Sequence, residues 1–371
     1  MAKIDILAQG IVYCGSSADQ QLRNAAFPSA AVLPSGELVV ALQIGKTRNS
    51  ADVRCYTSRS PDGGKSWSVP EKIFEPDESA FPVSAGIRMS RAPGGYLVGF
   101  VNVLNRSNPE APPTNRETGG TMEREHAIIR SRDGGRSWGP LHFFDPPFDW
   151  RCFGEPSPIL ALSNNRWILP SLTRLNWDGE CPYGLKSFVM ISEDGGATWP
   201  RYADVFDLWS NRCVTWEQKQ TRLSDGRILA VTWVFDTVNK TNLPNHYTFS
   251  HDLGETYRPP LASPLRGQTC TPLALANNNI LCVYRRIDKN GLWAHLARIE
   301  GTDWIPLGER CLWGEDQKAI AGPNDSSIQN QHALQFGYPQ LVETAPGEYF
   351  VVFWCIEDDC SIIRCFRLAV G

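Results

Sequence analysis

Glu217 and Tyr338 are the two residues of this sequence whose types and positions best suit chemistry. Glu217 lies in Thr215-Trp-Glu-Gln-Lys and Tyr338 in Phe336-Gly-Tyr-Pro-Gln, and each stands nine residues before the glycine turn of a repeated apolar hairpin. Because the two positions are equivalent in the repeat, we expect both side chains at one mouth of a central channel. A carboxylate beside a phenol can take up the phenolic proton, so this pair could provide a tyrosine nucleophile.

Basic residues accompany this pair and leave a second interpretation open. Arg88 and Lys219 come two residues deeper in their strands, on the same side by strand alternation. They could satisfy Glu217 in an ion-pair network that has no catalytic role. Glu155, in Phe153-Gly-Glu-Pro-Ser, stands at the expected rim of the channel, and two carboxylates across a channel would permit ordinary acid/base hydrolysis of a glycoside.

Further polar and aromatic residues are expected at the same mouth, where they could hold a sugar or an anionic group. Pointing to water is the more usual fate of any single arginine, and each tryptophan could equally be packing. The candidate substrate-binding residues are Arg48, Arg88, Glu155, Trp233, His246, Arg285 and Arg286.

A short motif that recurs four times indicates the elements that position these residues. Each copy has a turn-forming Asp, a glycine and an aromatic residue, as in Ser60-Pro-Asp62-Gly-Gly64-Lys-Ser-Trp67. The carboxylate can accept backbone N–H bonds, the glycine can take a positive φ, and the aromatic ring can fold back over the hairpin. We therefore expect structural rather than catalytic roles for the four aspartates, Asp62, Asp133, Asp194 and Asp252.

A second repeat occurs six times and consists of an apolar strand, a tight turn and another apolar strand. The spacing of the first repeat agrees with it, because consecutive Asp motifs are 58 to 71 residues apart, which is the length of a four-stranded blade. The sequence therefore predicts an all-β fold, a six-bladed β-propeller of four-stranded antiparallel blades in a single domain, 1–371. The last blade lacks a fourth strand, and residues 4–13 are expected to supply it and close the ring. The turn residues are Gly36, Gly95, Asn165, Gly226, Asn278 and Gly347.

Blade geometry sorts the loops by face. The Asp motifs share one face with the first turns, and the long polar loops occupy the other, where binding is expected. These loops are residues 102–125, 174–186, 235–245 and 314–335.

Composition restricts the classes of partner. A net charge of −4 with interspersed signs argues against nucleic acid, and no apolar run is long enough for a membrane span. Eleven scattered cysteines fit neither a disulfide framework nor a zinc site, and the start of the chain lacks a secretory pattern. We expect a cytoplasmic protein without cofactor or metal, whose partner is a carbohydrate; the sequence leaves the oligomeric state open.

Together the Asp motifs, the six hairpins and the Glu217 and Tyr338 positions resemble the sialidase (neuraminidase) superfamily over essentially the whole chain. The resemblance implies that Tyr338 is the nucleophile, that Glu217 activates it, and that Asp52 in Arg48-Asn-Ser-Ala-Asp52 is the general acid or base. Sialidases are one of the known exceptions to the two-carboxylate rule for glycosidases.

The sequence departs from that superfamily in the arginine triad, which holds the substrate carboxylate. Ala26 stands at the first arginine position, Trp233 at the second, and only Arg266 comes near the third. The leading hypothesis is therefore an exo-acting sialidase-like glycoside hydrolase for a sugar other than standard sialic acid. A lyase acting on a uronate-containing glycan and a non-catalytic carbohydrate-binding propeller are the alternatives.

Overall fold

The computed structural model describes residues 3–15, 22–154, 157–316, 334–358 and 360–371. The described chain is all-β: its strands are interrupted only by loops, turns and two three-residue 3₁₀ segments, and it has no α-helix. No helix in these ranges is long and apolar enough to cross a membrane.

The strands pair with their sequence neighbours in antiparallel groups. The chain begins with β1 (Ile4–Cys14) and continues into a first group of β2 (Asn24–Val32), β3 (Leu38–Gly45), β4 (Arg54–Ser60) and β5 (Glu71–Lys72). The second group contains β6 (Val83–Arg91), β7 (Leu97–Asn105), β8 (Arg124–Ser131) and β9 (His142–Phe143).

The third group has a divided first strand, because β10 (Phe153–Gly154) and β11 (Leu160–Ala161) both pair with β12 (Trp167–Thr173). It is completed by β13 (Ser187–Ser192) and β14 (Arg201–Phe206). The fourth group contains β15 (Cys213–Arg222), β16 (Ile228–Asp236), β17 (Thr241–Ser250) and β18 (Leu261–Ala262).

The fifth group contains β19 (Gly267–Ala274), β20 (Asn279–Arg286), β21 (Leu292–Glu300) and β22 (Asp303–Trp313). The last strands are β23 (Phe336–Ala345), β24 (Glu348–Glu357) and β25 (Cys360–Val370).

The N-terminal strand lies beside the C-terminal one. β1 pairs antiparallel with β25, from Ile4 opposite Val370 to Cys14 opposite Ile362, and so adds a fourth strand to β23–β25. A single parallel bridge, Asn24 to Ser361, joins this group to β2. In the described ranges no sheet closes on itself through hydrogen bonds.

The second strand of each group is the most apolar, since it is covered on both faces. β3 reads Leu-Val-Val-Ala-Leu-Gln-Ile-Gly, and seven of its eight residues are buried. β-branched and aliphatic residues favour such a strand. By contrast β5, β9 and β18 are two-residue edge strands with exposed side chains, which limits pairing with other chains.

The apolar core consists of clusters that lie between neighbouring groups rather than within them. One cluster packs Val39 of β3 against Ile87 of β6, and others join each following pair of groups. A further cluster returns from the last group to the first and packs Trp354 of β24 against Val40 of β3.

Each Asp motif closes the connection from a third to a fourth strand with nearly the same set of hydrogen bonds. In the first motif, Asp62 Oδ1 accepts from Ser60 Oγ at 2.8 Å and from the backbone N–H groups of Lys65 and Ser66. Its Oδ2 accepts from Ser66 Oγ at 2.6 Å. Asp133 and Asp194 repeat this arrangement, and Asp252 repeats it except that the Glu255 N–H donates to the Asp252 backbone carbonyl instead of to Oδ1.

These bonds hold the carboxylates ionised. The hydrogen bonds from Ser66 lower the pKa of Asp62 well below its ordinary value. Burial raises the pKa of Asp194, but the hydrogen bonds from Thr198 and Ser192 outweigh it and bring the pKa to about 2. The aspartates are thus engaged in turn structure.

Candidate active site

A cavity of about 270 Å³ opens at the ends of the sheets opposite the Asp motifs. We call it the arginine cavity, because five arginines and a single carboxylate, that of Glu217, are among the described residues that line it. Such an excess of positive charge favours an anionic ligand. The arginines are Arg48, Arg88, Arg124, Arg174 and Arg285.

Glu217 and Tyr338 reach this cavity from β-bulges in their first strands. The ladder between β15 and β16 slips between Trp216 and Lys219, and the ladder between β23 and β24 slips between Gly337 and Gln340. Within these bulges Glu217 has φ 52° and Tyr338 has φ 55°. A left-handed backbone at a non-glycine residue is strained, and such strain is concentrated at functional sites.

Two more first strands have the same bulge. Phe27 in β2 has φ 52° and Thr269 in β19 has φ 53°, and both line the arginine cavity. Gly86, in the equivalent position of β6, lies in an uninterrupted ladder. Four of the residues that stand nine positions before a hairpin turn therefore share one unusual backbone conformation.

Arg88 contacts Tyr338 directly. Its Nε donates a hydrogen bond to the Tyr338 Oη at 2.6 Å, and its guanidinium carbon lies 4.4 Å from the centre of the phenol ring. Arg88 is 7% exposed and Tyr338 is 5% exposed. A cationic donor at a buried phenolic oxygen stabilises negative charge on that oxygen.

Glu217 has an unsatisfied oxygen. The Oε2 atom is buried and has no hydrogen-bond partner among the described residues. The same is true of Thr269 Oγ1 in the neighbouring strand. Buried polar atoms are normally paired, so atoms left open in a cavity point to a ligand or to solvent.

Arg285 is held in place by a buried chain of polar groups. Its Nε and Nη2 donate to Gln268 Oε1, and its Nη1 donates to the Phe336 carbonyl at 2.7 Å. Gln268 donates in turn to Asn242, which also accepts the Trp233 indole N–H at 2.6 Å. Burial lowers the pKa of Arg285 to about 10; Glu217 opposes the shift and Arg48 adds to it.

Aromatic rings form the remaining walls. The Trp216 and Trp233 rings meet edge to face with centroids 4.9 Å apart, and Arg48 lies 4.4 Å above the Trp354 ring. Burial lowers the pKa of Arg48 to about 10. The cavity thus combines cations with faces on which a sugar could stack.

Asp52 lies in a second cavity of about 850 Å³, which we call the loop cavity. Its carboxylate accepts hydrogen bonds from the Lys46 backbone N–H at 3.1 and 3.3 Å. The two cavities are adjacent, since Asn49, Ser50 and Trp216 line both. Asp52 is therefore beside the arginine cavity and is not among the residues that line it.

Two other predicted residues lie away from the cavity. Arg286 ends β20 but pairs with Asp288 and Glu309 at 2.7 Å. His246 lies opposite Thr232 inside β17, which begins at Thr241, so the predicted long loop there is much shorter. Glu155 and most of the predicted loop 314–335 lie outside the described residues.

Arg124 is a lining residue that the sequence interpretation did not single out. It is the first residue of β8, and its Nη1 donates to the Phe153 carbonyl. Its position at the start of a third strand, on the same face as the predicted loops, was an available signal. Among the described residues no group of three His, Cys, Asp or Glu side chains could hold a metal ion.

The fold and the repeated Asp motifs define a class of all-β proteins, and the sequence of this chain matches a family within that class. Residues 36–351 match the BNR repeat-like domain family, and the chain belongs to this family. No curated protein matches it.

Solved structures resemble it at low sequence identity. A protein of unknown function from Dyadobacter fermentans is 18% identical, with a TM-score of 0.73 and 99% of each chain covered. The intramolecular trans-sialidase from Ruminococcus gnavus is 12% identical, with a TM-score of 0.65 and 96% of each chain covered. The NanB sialidase from Streptococcus pneumoniae is 14% identical, with a TM-score of 0.65; 97% of this chain and 70% of that chain are covered. The fold is that of the sialidases.

Proposed function

We propose that this protein is a sialidase-like glycoside hydrolase that acts on an anionic sugar other than standard sialic acid. The observation that carries the proposal is the placement of Glu217 and Tyr338 at equivalent strained bulges facing one cavity. Backbone strain of this kind costs stability and persists only where the surrounding structure enforces it, and it is concentrated at functional sites.

In the proposed reaction Tyr338 Oη forms a bond to the anomeric carbon while the bond from that carbon to the leaving oxygen breaks. Glu217 takes the phenolic proton, and Arg88 stabilises the negative charge that develops on Oη. A general acid protonates the leaving oxygen, and water then releases the sugar from Tyr338. Asp52 is the candidate acid, acting on a leaving group that extends into the loop cavity.

The preference for an anionic sugar rests on the charges of the arginine cavity. In this proposal the anionic group of the sugar is bound by Arg88, Arg285 and Arg48, which line the cavity. They would replace the arginine triad of the superfamily, whose first two positions are Ala26 and Trp233 here. A planar guanidinium suits a carboxylate or sulfate, so a uronate or a sulfated sugar is the expected class.

We propose that the antiparallel groups are six blades of one propeller domain. The clusters between consecutive groups, with the return from the last group to the first, support a ring closed by packing.

Elimination is the second candidate, because the contact between Arg88 and Tyr338 would serve it as well. In a lyase Tyr338 would remove the proton α to a uronate carboxylate that Arg88 or Arg285 neutralises, and the leaving oxygen would depart as a double bond forms. This reaction needs no covalent sugar intermediate.

The test is a screen of the purified protein against chromogenic sialosides and uronate or sulfated oligosaccharides, read by dye release and by absorbance of unsaturated products. Tyr338→Phe should lower turnover by about 100-fold or more, whereas Tyr202→Phe, the same change on the 40% exposed ring of Tyr202 outside both cavities, should not. Sialoside hydrolysis would overturn the proposed sugar class. Unsaturated products would establish the lyase, and binding without turnover would leave a carbohydrate-binding protein.

A further inference from the structure

Lys219 is a buried cation beneath Tyr338 that the proposed reaction does not use. It lies in β15, two residues after Glu217, and is 1% exposed. Its Nζ lies 4.2 Å from the centre of the Tyr338 ring. Burying an ammonium so completely costs folding free energy unless the ammonium is paired or hydrogen-bonded.

The hydrogen bonds of Lys219 support the Tyr338 bulge. Because Tyr338 and Pro339 fall in the slipped part of the ladder, the Pro339 carbonyl is not paired in the β23–β24 register. Lys219 Nζ donates to that carbonyl at 3.1 Å and to Thr271 Oγ1 at 2.7 Å. Thr271 Oγ1 also donates to the Pro339 carbonyl. Side chains of two neighbouring strands thus hold the strained segment that aims the phenol.

The charged and titratable groups around Lys219 come from four strands. Glu217 lies on its own strand, Arg88 approaches from β6, Cys270 from β19 and Tyr338 from β23. Burial lowers the pKa of Lys219 to about 7; Glu217 opposes this shift and Arg88 adds to it. The ammonium is therefore close to losing its proton at neutral pH.

We propose that Lys219 is a positioning residue for Tyr338, whose ammonium fixes the bulge and places positive charge against the phenol ring so that Oη ionises more readily. The Lys219 ammonium lies 4.2 Å from the centre of the ring that carries Oη, and a cation near an acidic group favours the charged form of that group. The inference builds on the proposed function only in that Tyr338 is the reacting group.

The test reads Tyr338 itself and needs no substrate. The near-ultraviolet phenolate absorbance is titrated with pH, and the signal of Tyr338 is isolated by subtracting the same titration of Tyr338→Phe. Lys219→Met removes the charge and keeps the side-chain volume, and replacing a buried charge by an apolar group of similar size is often neutral or stabilising. We expect this variant to form about tenfold less Tyr338 phenolate than the parent below about pH 7, where Lys219 carries its proton, and the difference to fade as the pH rises and Lys219 becomes neutral.

Thr271→Val is the matched control, because it removes a hydrogen bond to Pro339 and one to Lys219 while leaving the ammonium in place. It should shift the phenolate signal much less than Lys219→Met does. Lys219→Arg, which retains a cation, should restore most of the low-pH signal. An unchanged Tyr338 titration in folded Lys219→Met, or equal shifts in Lys219→Met and Thr271→Val, would overturn the proposal.

The result separates this inference from the proposed function. If no glycan is turned over and the titration still shifts, Lys219 controls Tyr338 but the hydrolase proposal fails. If a substrate is found, Lys219→Met should lower kcat with little change in KM, since the lysine does not line the cavity.

Discussion

The two ends of the sheets differ in how their carboxylates are hydrogen-bonded and in how much backbone strain they contain. At the Asp-motif end each of the four motif carboxylates accepts several hydrogen bonds in a nearly identical arrangement. At the cavity end Glu217 Oε2 and Thr269 Oγ1 are buried without a hydrogen-bond partner among the described residues, and four bulges are strained. The difference teaches that the motif carboxylates are engaged in local turn structure, whereas the cavity end combines strained backbone with a carboxylate oxygen that can meet a ligand.

The largest effect is expected from Glu217→Gln at the cavity end. Turnover of the true substrate should fall by about 100-fold or more, because the amide cannot take the phenolic proton. The free energy of unfolding should fall by about 1–3 kcal/mol, because the change removes the negative charge that opposes the lowered pKa values of Arg285 and Lys219, although Oε2 has no hydrogen bond to lose among the described residues. Kinetics and urea unfolding of the same preparation measure both.

Glu309→Gln is the control for that prediction, because Glu309 pairs with Arg286 and Lys289 outside the cavity. It should leave turnover unchanged. If Glu217→Gln instead keeps turnover and loses only stability, the carboxylate belongs to a structural ion-pair network and the contrast between the two ends is lost.

A pH-dependent stability difference is expected next, between the parent and Lys219→Met. The pKa of Lys219 falls from 10.5 to about 7 on folding, mainly through burial, so the folded chain binds fewer protons than the unfolded chain between these values. Lys219→Met should therefore exceed the parent in stability most below pH 7, and the gap should narrow as the pH rises toward 10.5. Urea unfolding at several pH values measures the gap. A gap independent of pH would mean that Lys219 titrates normally in the fold.

Asp194→Ala should reduce the free energy of unfolding by roughly 2 kcal/mol, because four hydrogen bonds to the carboxylate are lost. The pKa of Asp194 is lowered, so its stabilisation is present above pH 3.8 and disappears as the pH falls toward 2. Turnover should be unaffected. A variant that stays stable but loses activity would show that the Asp-motif end takes part in function.

The smallest effect is expected at Leu253, which stands where the other three Asp motifs have glycine. Leu253 has φ 57° and is 41% exposed. Leu253→Gly should stabilise the fold by about 1 kcal/mol by relieving left-handed strain, seen as a rise in Tm. Leu253→Ala is the control, since alanine keeps the strain; an equal gain there would point to loss of the exposed leucine side chain instead.

The Asp-motif end could be predicted from sequence because its physics is local. Each aspartate bonds to residues within four positions of itself, and turn glycines such as Gly36 and Gly347 take the positive φ that their type suggests. The placement of the N-terminal strand was also predictable, since an incomplete last group leaves an edge to be covered.

The cavity end was only partly predictable, because its geometry depends on contacts between distant strands. Counting positions identified Glu217 and Tyr338 as cavity residues, but nothing in their neighbours announces a positive φ. The contact of Arg88 with Tyr338 joins residues 250 positions apart. Both Arg285 and Arg286 were predicted to bind substrate, but Arg286 pairs with the Asp288 carboxylate two residues further on and does not line the cavity.

The pairing of β1 with β25 has a consequence for synthesis on the ribosome. Residues 4–14 emerge long before residues 362–370 and find their partner strand only when the latter have left the exit tunnel. Until then the N-terminal strand and the nascent sheets present open edges, and contacts of such long range form slowly. We expect the chain to depend on chaperones during that interval and to reach its protease-resistant state only after residues 362–370 have emerged.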